Sequence, residues 1–492
     1  MRLVRLVLIF AGIWHAVSSA QTASDQNAII VPKTWDEAEL AAWTLPARAP
    51  GVYTVHLPSK LYYQIPAPPI YKSYPIYHPA KGPPGYIEWL RLQEPQIVFD
   101  ATRLRTLSDW EAAGKLVFED PFGDTPIDKF RNSRWYEQLN VPLSSDGVVP
   151  GWRYIIHKKG VVKAGPASCA ACHSRVMADG SLINGPQTNF PVERDFAWDI
   201  RRRRDLRESR KLTMGLSFPS WSRASLADGT GEMEVDQIAR LHEAVPPGVN
   251  TRIGVSVFAP PKVADLIGIK DRKYLDLIAR VQHRNIGDLM RYAAVLFGVT
   301  AVFAEQPIVP AEMFPKVSES ERFSDVQLYA LALYIYSLKA PSNPNPYNEL
   351  AGRGRRVFEI EGCGACHTPP LYTNNKLTLA GEFEPPENHR AKYDILDIRV
   401  GTDPRSAMQP MRGTGYYKVP SLKGVWYRGP FEHNGSVATL EDWFDPERLR
   451  DGYVPTAFNG HGVKARAVKG HPFGLRLSAE DKRALIAFLR TL

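Results

Sequence analysis

The most constraining feature of the chain is a five-residue pattern, Cys-X-X-Cys-His, that occurs twice. It reads CAACH at 169–173 and CGACH at 363–367, and these two copies contain all four cysteines of the 492 residues. A histidine directly after such a cysteine pair is typical of haem c attachment, in which the thiols form thioethers with the porphyrin and the imidazole binds the iron. The sequence therefore predicts two covalently bound haem c groups.

The attachment residues follow directly from the two patterns. The first haem is assigned to Cys169, Cys172 and His173, and the second to Cys363, Cys366 and His367. A redox-active cysteine pair or a zinc site with four thiolate ligands are the alternatives. Neither alternative explains a histidine directly after both pairs or the absence of a spare cysteine, so His173 and His367 are predicted to bind iron.

The beginning of the chain has the pattern of an export signal. Arg2 and Arg5 precede an apolar stretch at 6–17, and the small residues Ser18-Ser19-Ala20 follow it. This pattern predicts a cleaved signal peptide at 1–20 and a periplasmic or secreted protein. The apolar stretch is shorter than the roughly 20 residues of a spanning helix, so no stable membrane insertion is expected.

The composition and net charge of the chain favour an acidic protein partner. The chain is 44% hydrophobic and 23% charged, and 61 Lys and Arg residues against 52 Asp and Glu residues give a formal charge of +9. This excess suits an acidic protein partner, such as a small electron-donor protein, and does not indicate nucleic acid. The basic run at 201–211 is either a solvated surface or a docking patch for such a donor.

A weak internal repeat organises the chain. GKLVFE at 114–119 resembles GRRVFE at 354–359, which predicts two haem domains of one plan, the first with an insertion before its cysteines. The predicted units are a Pro/Tyr-rich, extended N-terminal arm (21–95), a first cytochrome c-like haem domain (96–340) and a second one (347–492). The Pro-rich stretch between the two domains marks their boundary.

Apolar spacing and capping residues predict helices in three stretches. They are NIGDLMRYAAVLF (285–297), SDVQLYALALYIYSL (324–338) and SAEDKRALIAFLRTL (478–492), with Ser324 and Ser478 as N-caps. The predicted fold class is mainly α, with two cytochrome c-like haem domains and long loops.

The C-terminal part of the chain resembles a known family. YYKVPSLKGVWYRGPFEHNGSVATLEDWF (416–444) and the final LSAEDKRALIAFLRTL are similar to the second haem domain of the bacterial di-haem cytochrome c peroxidase superfamily. The resemblance is strong over 347–492, weaker over the first haem domain and absent from the arm. The insertion and the gap of 194 positions between the two cysteine pairs resemble the branch of di-haem oxygenases that cleave polyisoprene.

The resemblance implies that the first haem meets hydrogen peroxide or dioxygen, while the second holds two axial ligands and delivers electrons. It implies bis-histidine ligation of the second haem, with His471 as the predicted distal ligand. Met408, Met411 and His461 are the alternatives. It also implies a calcium ion between the domains, for which Asn189 and the backbone at Arg428 and Pro430 are candidate ligands.

The distal side of the first haem is less defined. No histidine lies between His173 and His242, which favours an open sixth position on the iron. His283 and Arg284 are candidates for an acid/base group and a cation that polarises an O–O bond, and a structural role is the alternative. If His283 binds the iron instead, the protein is an electron carrier.

Other residues have weaker assignments. His433 matches a loop histidine that the resemblance places near the path between the haems, and Trp198, Trp221 and Trp426 are either electron relays or core residues. Three functions therefore remain open: a haem peroxidase as the leading hypothesis, an oxygenase of a hydrophobic organic substrate, and a non-enzymatic electron-transfer protein.

Overall fold

The computed structural model describes residues 29–49, 56–121, 125–165, 168–203, 233–251, 260–296, 321–409, 413–460 and 464–492. The predicted signal peptide, Trp221, Met411, His461 and most of the basic run lie outside these residues. Within the described part of the chain, no helix is both long enough and apolar enough to cross a membrane.

The fold is mainly helical, as predicted, with short strands that were not anticipated. The helices are α1 (Glu37–Trp43), α2 (Ser59–Tyr62), α3 (Tyr86–Leu92), α4 (Leu107–Glu119), α5 (Ser133–Leu139), α6 (Cys169–His173), α7 (Val192–Arg203), α8 (Val235–Glu243), α9 (Ile286–Leu296), α10 (Asp325–Ser337), α11 (Glu349–Ile360), α12 (Glu387–Lys392), α13 (Arg405–Met408), α14 (Leu440–Trp443) and α15 (Ala479–Arg490). The strands are β1 (Ser73–Tyr77), β2 (Val148–Lys158), β3 (Val161–Gly165), β4 (Ser174–Val176), β5 (Leu182–Asn184), β6 (Leu377–Leu379), β7 (Ile395–Arg399) and β8 (Tyr416–Lys418).

Two crossed helix pairs share one design. Helix α4 packs against α10, and α11 packs against α15. A Cβ atom on Gly114 would lie 2.0 Å from the carbonyl oxygen of Ala330, and one on Gly354 would lie 1.8 Å from that of Ala484. Both distances are far below van der Waals contact, so each crossing requires glycine.

Aromatic contacts repeat the same spacing. Four residues after each glycine, Phe118 and Phe358 contact Tyr334 and Phe488, which lie four residues after the two alanines. The ring centroids are 5.2 Å apart in the first pair and 5.4 Å in the second. The repeat of GKLVFE and GRRVFE is therefore a repeat of packing as well as of sequence.

The predicted helix ends are confirmed at two serines. Ser324 Oγ accepts a hydrogen bond from Gln327 N at 3.2 Å, and Ser478 Oγ accepts one from Asp481 N at 3.1 Å. These bonds satisfy backbone donors that the first turn of a helix leaves free. In both helix pairs, the capping serine lies six residues before the alanine at the crossing.

The insertion distinguishes the first helix pair from the second. Cys363 follows α11 almost directly, whereas α5, β2 and β3 lie between α4 and Cys169. Strand β2 pairs antiparallel with β3 and with β1, which comes from the N-terminal segment. The aromatic residues Phe130, Trp135 and Trp152 are buried against this sheet. The insertion and the N-terminal segment therefore form one structural layer.

The N-terminal segment is not extended throughout. Residues 29–95 contain α1, α2, β1 and α3. Trp35, Trp43 and Tyr62 from this segment are buried in the same apolar cluster as Phe118 and Cys169. Its aromatic residues therefore help to enclose the first cysteine pattern.

Candidate haem sites

The second cysteine pattern folds into a single tight turn after α11. His367 N and Cys366 N both donate to Cys363 O, at 2.9 and 3.3 Å. Cys363 and Cys366 form no disulfide. Burial raises the pKa of the Cys363 thiol to about 11. The turn thus holds both cysteines and His367 close together.

His367 is oriented by backbone carbonyl groups. Its Nδ1 lies 3.2 Å from Tyr372 O and 3.1 Å from Pro420 O, so this nitrogen carries the proton and donates it. Burial lowers the pKa of His367 and favours the neutral ring. A neutral imidazole held through Nδ1 leaves the Nε2 lone pair for a metal, which is the usual arrangement of histidine ligands.

His471 faces His367, although 104 positions separate them. The ring centroids lie 6.4 Å apart. Two imidazoles that bind one metal from opposite sides, at about 2 Å each, place their ring centres roughly 6 Å apart. Burial, with the charges of His367 and Arg448, lowers the pKa of His471 to about 4. Its buried Nδ1 has no hydrogen-bond partner in the described structure. These residues fit a haem iron with two histidine ligands.

Arg448 holds the loop that carries His471. Its side chain is 1% exposed, and its Nε donates to Trp443 O at 2.8 Å. Nη1 donates to Val468 O and Gly470 O at 2.7 and 3.0 Å, and Nη2 donates to His471 O at 2.8 Å. The guanidinium thus fixes three carbonyls of one loop, while His471 itself adopts φ = 46°. No sequence signal pointed to this arginine, because three of its four carbonyl partners lie 20 or more positions away.

Met408, an alternative to His471, and the loop histidine His433 are placed differently from His471. Met408 packs in an apolar cluster with Ala380, Ala407 and Tyr417. His433 is buried, its Nδ1 lies against the Glu432 carboxylate, and its ring stacks on Tyr417 at 4.9 Å. The contacts of His433 support a role in fixing its loop.

The first cysteine pattern forms the short helix α6. Ser168 caps it by accepting a hydrogen bond from Ala171 N at 3.0 Å. Cys169 lies in the apolar core, where burial raises the pKa of its thiol to about 12. The Cys172 sulfur accepts a hydrogen bond from Asn250 Nδ2 at 3.4 Å. His173 O accepts one from Gly185 N at 2.7 Å. The first turn is thus held from three separate parts of the chain.

His283 and Arg284 have partners that support the structural alternative. His283 Nδ1 lies 2.9 Å from Arg272 O, and Nε2 lies 2.6 Å from Tyr336 Oη. Arg284 forms ion pairs with Asp288 and Glu39, both at 2.8 Å. Both ring nitrogens and the guanidinium are therefore engaged in holding the start of α9. A distal role for these two residues stays a prediction.

A buried acid–histidine pair near the first turn was not anticipated. His242 Nδ1 lies 2.5 Å from Glu193 Oε2, and both side chains are fully buried. Glu193 Oε1 accepts hydrogen bonds from Thr251 N at 2.6 Å and Thr251 Oγ1 at 2.9 Å. Thr251 follows Asn250, which contacts Cys172. The pair therefore ties α7 and α8 to the attachment turn.

The remaining candidates stay predictions. The Asn189 amide is occupied by Val176, whose N donates to Oδ1 at 3.1 Å and whose O accepts from Nδ2 at 2.8 Å. Among the described residues, no cluster of three or more His, Cys, Asp or Glu side chains is arranged to hold a metal ion. Calcium binding is thus not supported by an acidic cluster in that part of the chain.

The candidate electron relays and the basic run also have ordinary structural contacts. Trp198 packs against the sheet cluster, and Trp426 lies 5.0 Å from the Tyr427 ring. At the start of the basic run, Arg201 pairs with Asp236 at 2.5 Å and Glu243 at 2.9 Å.

Comparisons with known proteins show similarity over part of the chain. A family described as RoxA-like, cytochrome c-like matches residues 415–455. The cytochrome-c peroxidase IdrP1 of Denitromonas iodatirespirans is 28% identical over 162 residues, which are 29% of this chain and 40% of the relative. Part of the chain is thus similar to members of the di-haem cytochrome c peroxidase superfamily.

A second relative is similar over a region of comparable length. The methylamine utilization protein MauG of Methylorubrum extorquens is 27% identical over 147 residues, covering 29% of this chain and 34% of MauG. The matches thus span less than half of either curated relative. The crystal structure of a MauG-like protein associated with microbial copper homeostasis covers 47% of this chain and 75% of that chain, with 18% identity and a TM-score of 0.29.

Proposed function

We propose that this chain is an exported di-haem oxidoreductase of the peroxidase type, with peroxide or dioxygen activated at the first haem and electrons delivered through the second. The observation that carries the proposal is the opposed pair His367 and His471, with 6.4 Å between ring centroids directly beside Cys363 and Cys366. The repeated helix crossing at Gly114 and Gly354 supports two haem domains of one plan.

The two sites have different roles in this proposal. Haem supplies a redox-active iron, which allows hydrogen peroxide to be reduced to two water molecules by two electrons and two protons. At the second site, His367 and His471 would both hold the iron, which would leave an oxidant no place to bind there. At the first site, His173 would hold the iron alone, and the oxidant would bind there.

The surroundings of the two cysteine patterns suit these roles. Cys169 lies in the apolar core, which limits access of water to the first site. Cys363 and Cys366 are only partly buried, so the second site lies closer to a surface on which an electron donor docks. The formal charge of +9 favours an acidic donor protein.

A second candidate function is oxidation of a hydrophobic organic substrate with dioxygen. The match of 415–455 to the RoxA-like family and the insertion before Cys169 favour it. Peroxide consumption with a reduced cytochrome, compared with oxygen uptake on a hydrophobic substrate, separates the two enzymes. Turnover in neither assay would favour the electron carrier.

The ligand assignment is tested by His471→Ala in a host that attaches haem c. The oxidised wild-type protein should show one low-spin and one high-spin haem by electron paramagnetic resonance. The variant should lose the low-spin signal while its mass still includes two haems, because the thioethers do not depend on His471. His389→Ala is the control, since that buried histidine contacts Tyr416 at 2.9 Å instead.

Two results would reject the proposal. A mature protein with the mass of the bare polypeptide would remove both haems. An unchanged low-spin signal in His471→Ala would remove His471 from the second iron.

A further inference from the structure

Four cationic side chains converge on one carboxylate. Arg175, Lys262, Arg272 and Arg428 all interact electrostatically with Asp265. Asp265 is buried and accepts a hydrogen bond from Tyr427 Oη at 3.0 Å. We call these four side chains the cation cluster.

The cation cluster is connected to both cysteine patterns. Arg175 comes two positions after His173 in the sequence. Arg428 Nη2 donates to Ser421 O at 2.7 Å, and Ser421 follows Pro420, whose carbonyl accepts the His367 Nδ1 proton. The cluster is thus linked through short bonded paths to the histidines of both haem sites.

The four cations of the cluster outnumber the carboxylates that interact with them in the described structure. Asp265 interacts with all four, Asp271 with Arg272 and Glu432 with Lys262, and Glu432 is also paired with His433. Burial lowers the pKa of Arg272. Burial and the charge of Arg428 lower the pKa of Lys262 to about 8. Cations held together in this way are destabilised unless an anion joins them.

Some donors of the cluster remain available. Arg428 Nε is buried, lies 3.9 Å from Asp265 Oδ2 and has no hydrogen-bond partner in the described structure. The Lys262 ammonium lies over the Phe431 ring, 6.0 Å from its centroid. Arg272 is used differently, because its Nη2 donates to Ile267 O at 2.7 Å. Lys262 and Arg428 are therefore the members most suited to bind an added anion.

We propose that the cation cluster binds carboxylate groups of the porphyrins, the propionates that haem c carries opposite its thioether edge. This proposal rests on the proposed function, because it requires haem at the two cysteine patterns. Carboxylates pair well with arginine and lysine in partly buried sites. A small diffusible anion, such as inorganic phosphate, is the other source of the same chemistry.

The placement predicts an effect on the haem potential. Positive charge near an iron favours the ferrous state over the more positive ferric state. Replacing Lys262 with Met removes the charge and shortens the side chain by only one atom. At a fixed ambient potential, the ratio of ferric to ferrous haem should rise about tenfold at one haem, which corresponds to about 59 mV for one electron.

The experiment is a spectroelectrochemical titration of the purified di-haem protein and three variants. Lys262→Met should lower one potential, Lys262→Arg should keep it near the wild-type value, and Lys270→Met should leave it unchanged. Lys270 is an exposed cation over Tyr336, 5.9 Å from the ring centroid, and serves as the matched charge control. Each titration is repeated with and without inorganic phosphate at constant ionic strength.

The outcomes are distinct. A Lys262→Met potential equal to that of Lys270→Met would overturn the proposal. A wild-type potential that changes with phosphate, while that of Lys262→Met does not, would assign the cluster to a diffusible anion and also overturn it. Absence of haem in the intact mass would reject the proposed function first, and this proposal with it.

Discussion

Replacing Gly354 with alanine should separate two helices that the second cysteine pattern depends on. The added Cβ would lie 1.8 Å from Ala484 O, and real Cβ contacts are essentially never below 3.0 Å. Helices α11 and α15 must therefore move apart by at least about 1.2 Å, because the blocking atom is backbone rather than a flexible side chain. Overpacking of this kind costs roughly 1–3 kcal/mol, which exceeds the gain of up to about 1 kcal/mol from replacing glycine within a helix.

Gly352 provides a control on the same helix. A Cβ there meets nothing closer than Tyr347 Cε1 at 4.0 Å, so Gly352→Ala should be neutral or stabilising by up to about 1 kcal/mol. Urea unfolding followed by circular dichroism gives the free energy of unfolding of each variant. Gly114→Ala should be destabilising like Gly354→Ala, since its Cβ would lie 2.0 Å from Ala330 O. Equal stability of Gly352→Ala and Gly354→Ala would refute the close crossing.

Two further predictions concern Arg448 and Asp120. Arg448→Gln removes the hydrogen bonds to Trp443 O, Val468 O and His471 O, so the absorption spectrum of the second haem should become partly high-spin. The control Arg476→Gln, at an exposed arginine, should leave this haem low-spin. Identical spectra of the two variants would contradict the role of Arg448. Burial, with the charge of Glu321, raises the pKa of Asp120 to about 7. Protonated Asp120 therefore contributes to the free energy of unfolding below about pH 4, the usual pKa of an aspartate, and this contribution is lost as the pH rises to about 7. Asp120→Asn should flatten the fall of the urea midpoint over that range, and an unchanged slope would exclude Asp120.

The sequence predicted the attachment residues because the chemistry of thioether formation requires a local pattern. It also predicted the helix ends at Ser324 and Ser478, where capping depends on residues three positions apart. His471 was predicted from the resemblance and from its place before α15, and its ring does lie opposite His367. Local patterns and one family resemblance were therefore sufficient to identify two histidines that lie close together, and their role as iron ligands stays a prediction.

The sheet and the cation cluster depend on distant residues, which no local pattern reveals. Strand β1 contains Pro75, and a proline within a run argues against a sheet strand. Its buried Tyr74 and Ile76 are explained only by pairing with β2, about 80 positions away. Arg175, Lys262 and Arg428 likewise come together only in the folded chain. Their individual positions gave no reason to consider them as one site.

The enclosure of Cys169 has a consequence for the assembly of the protein. This thiol is 7% exposed, beneath the N-terminal aromatic residues, and the turn that carries it packs against β2. An enzyme that joins a porphyrin to Cys169 must act while this layer is still open. Cys363 is less enclosed and imposes a weaker limit. Folding therefore limits when each haem can be attached. Attachment at Cys169 and Cys172 must come before the N-terminal layer closes, whereas attachment at Cys363 and Cys366 is less restricted.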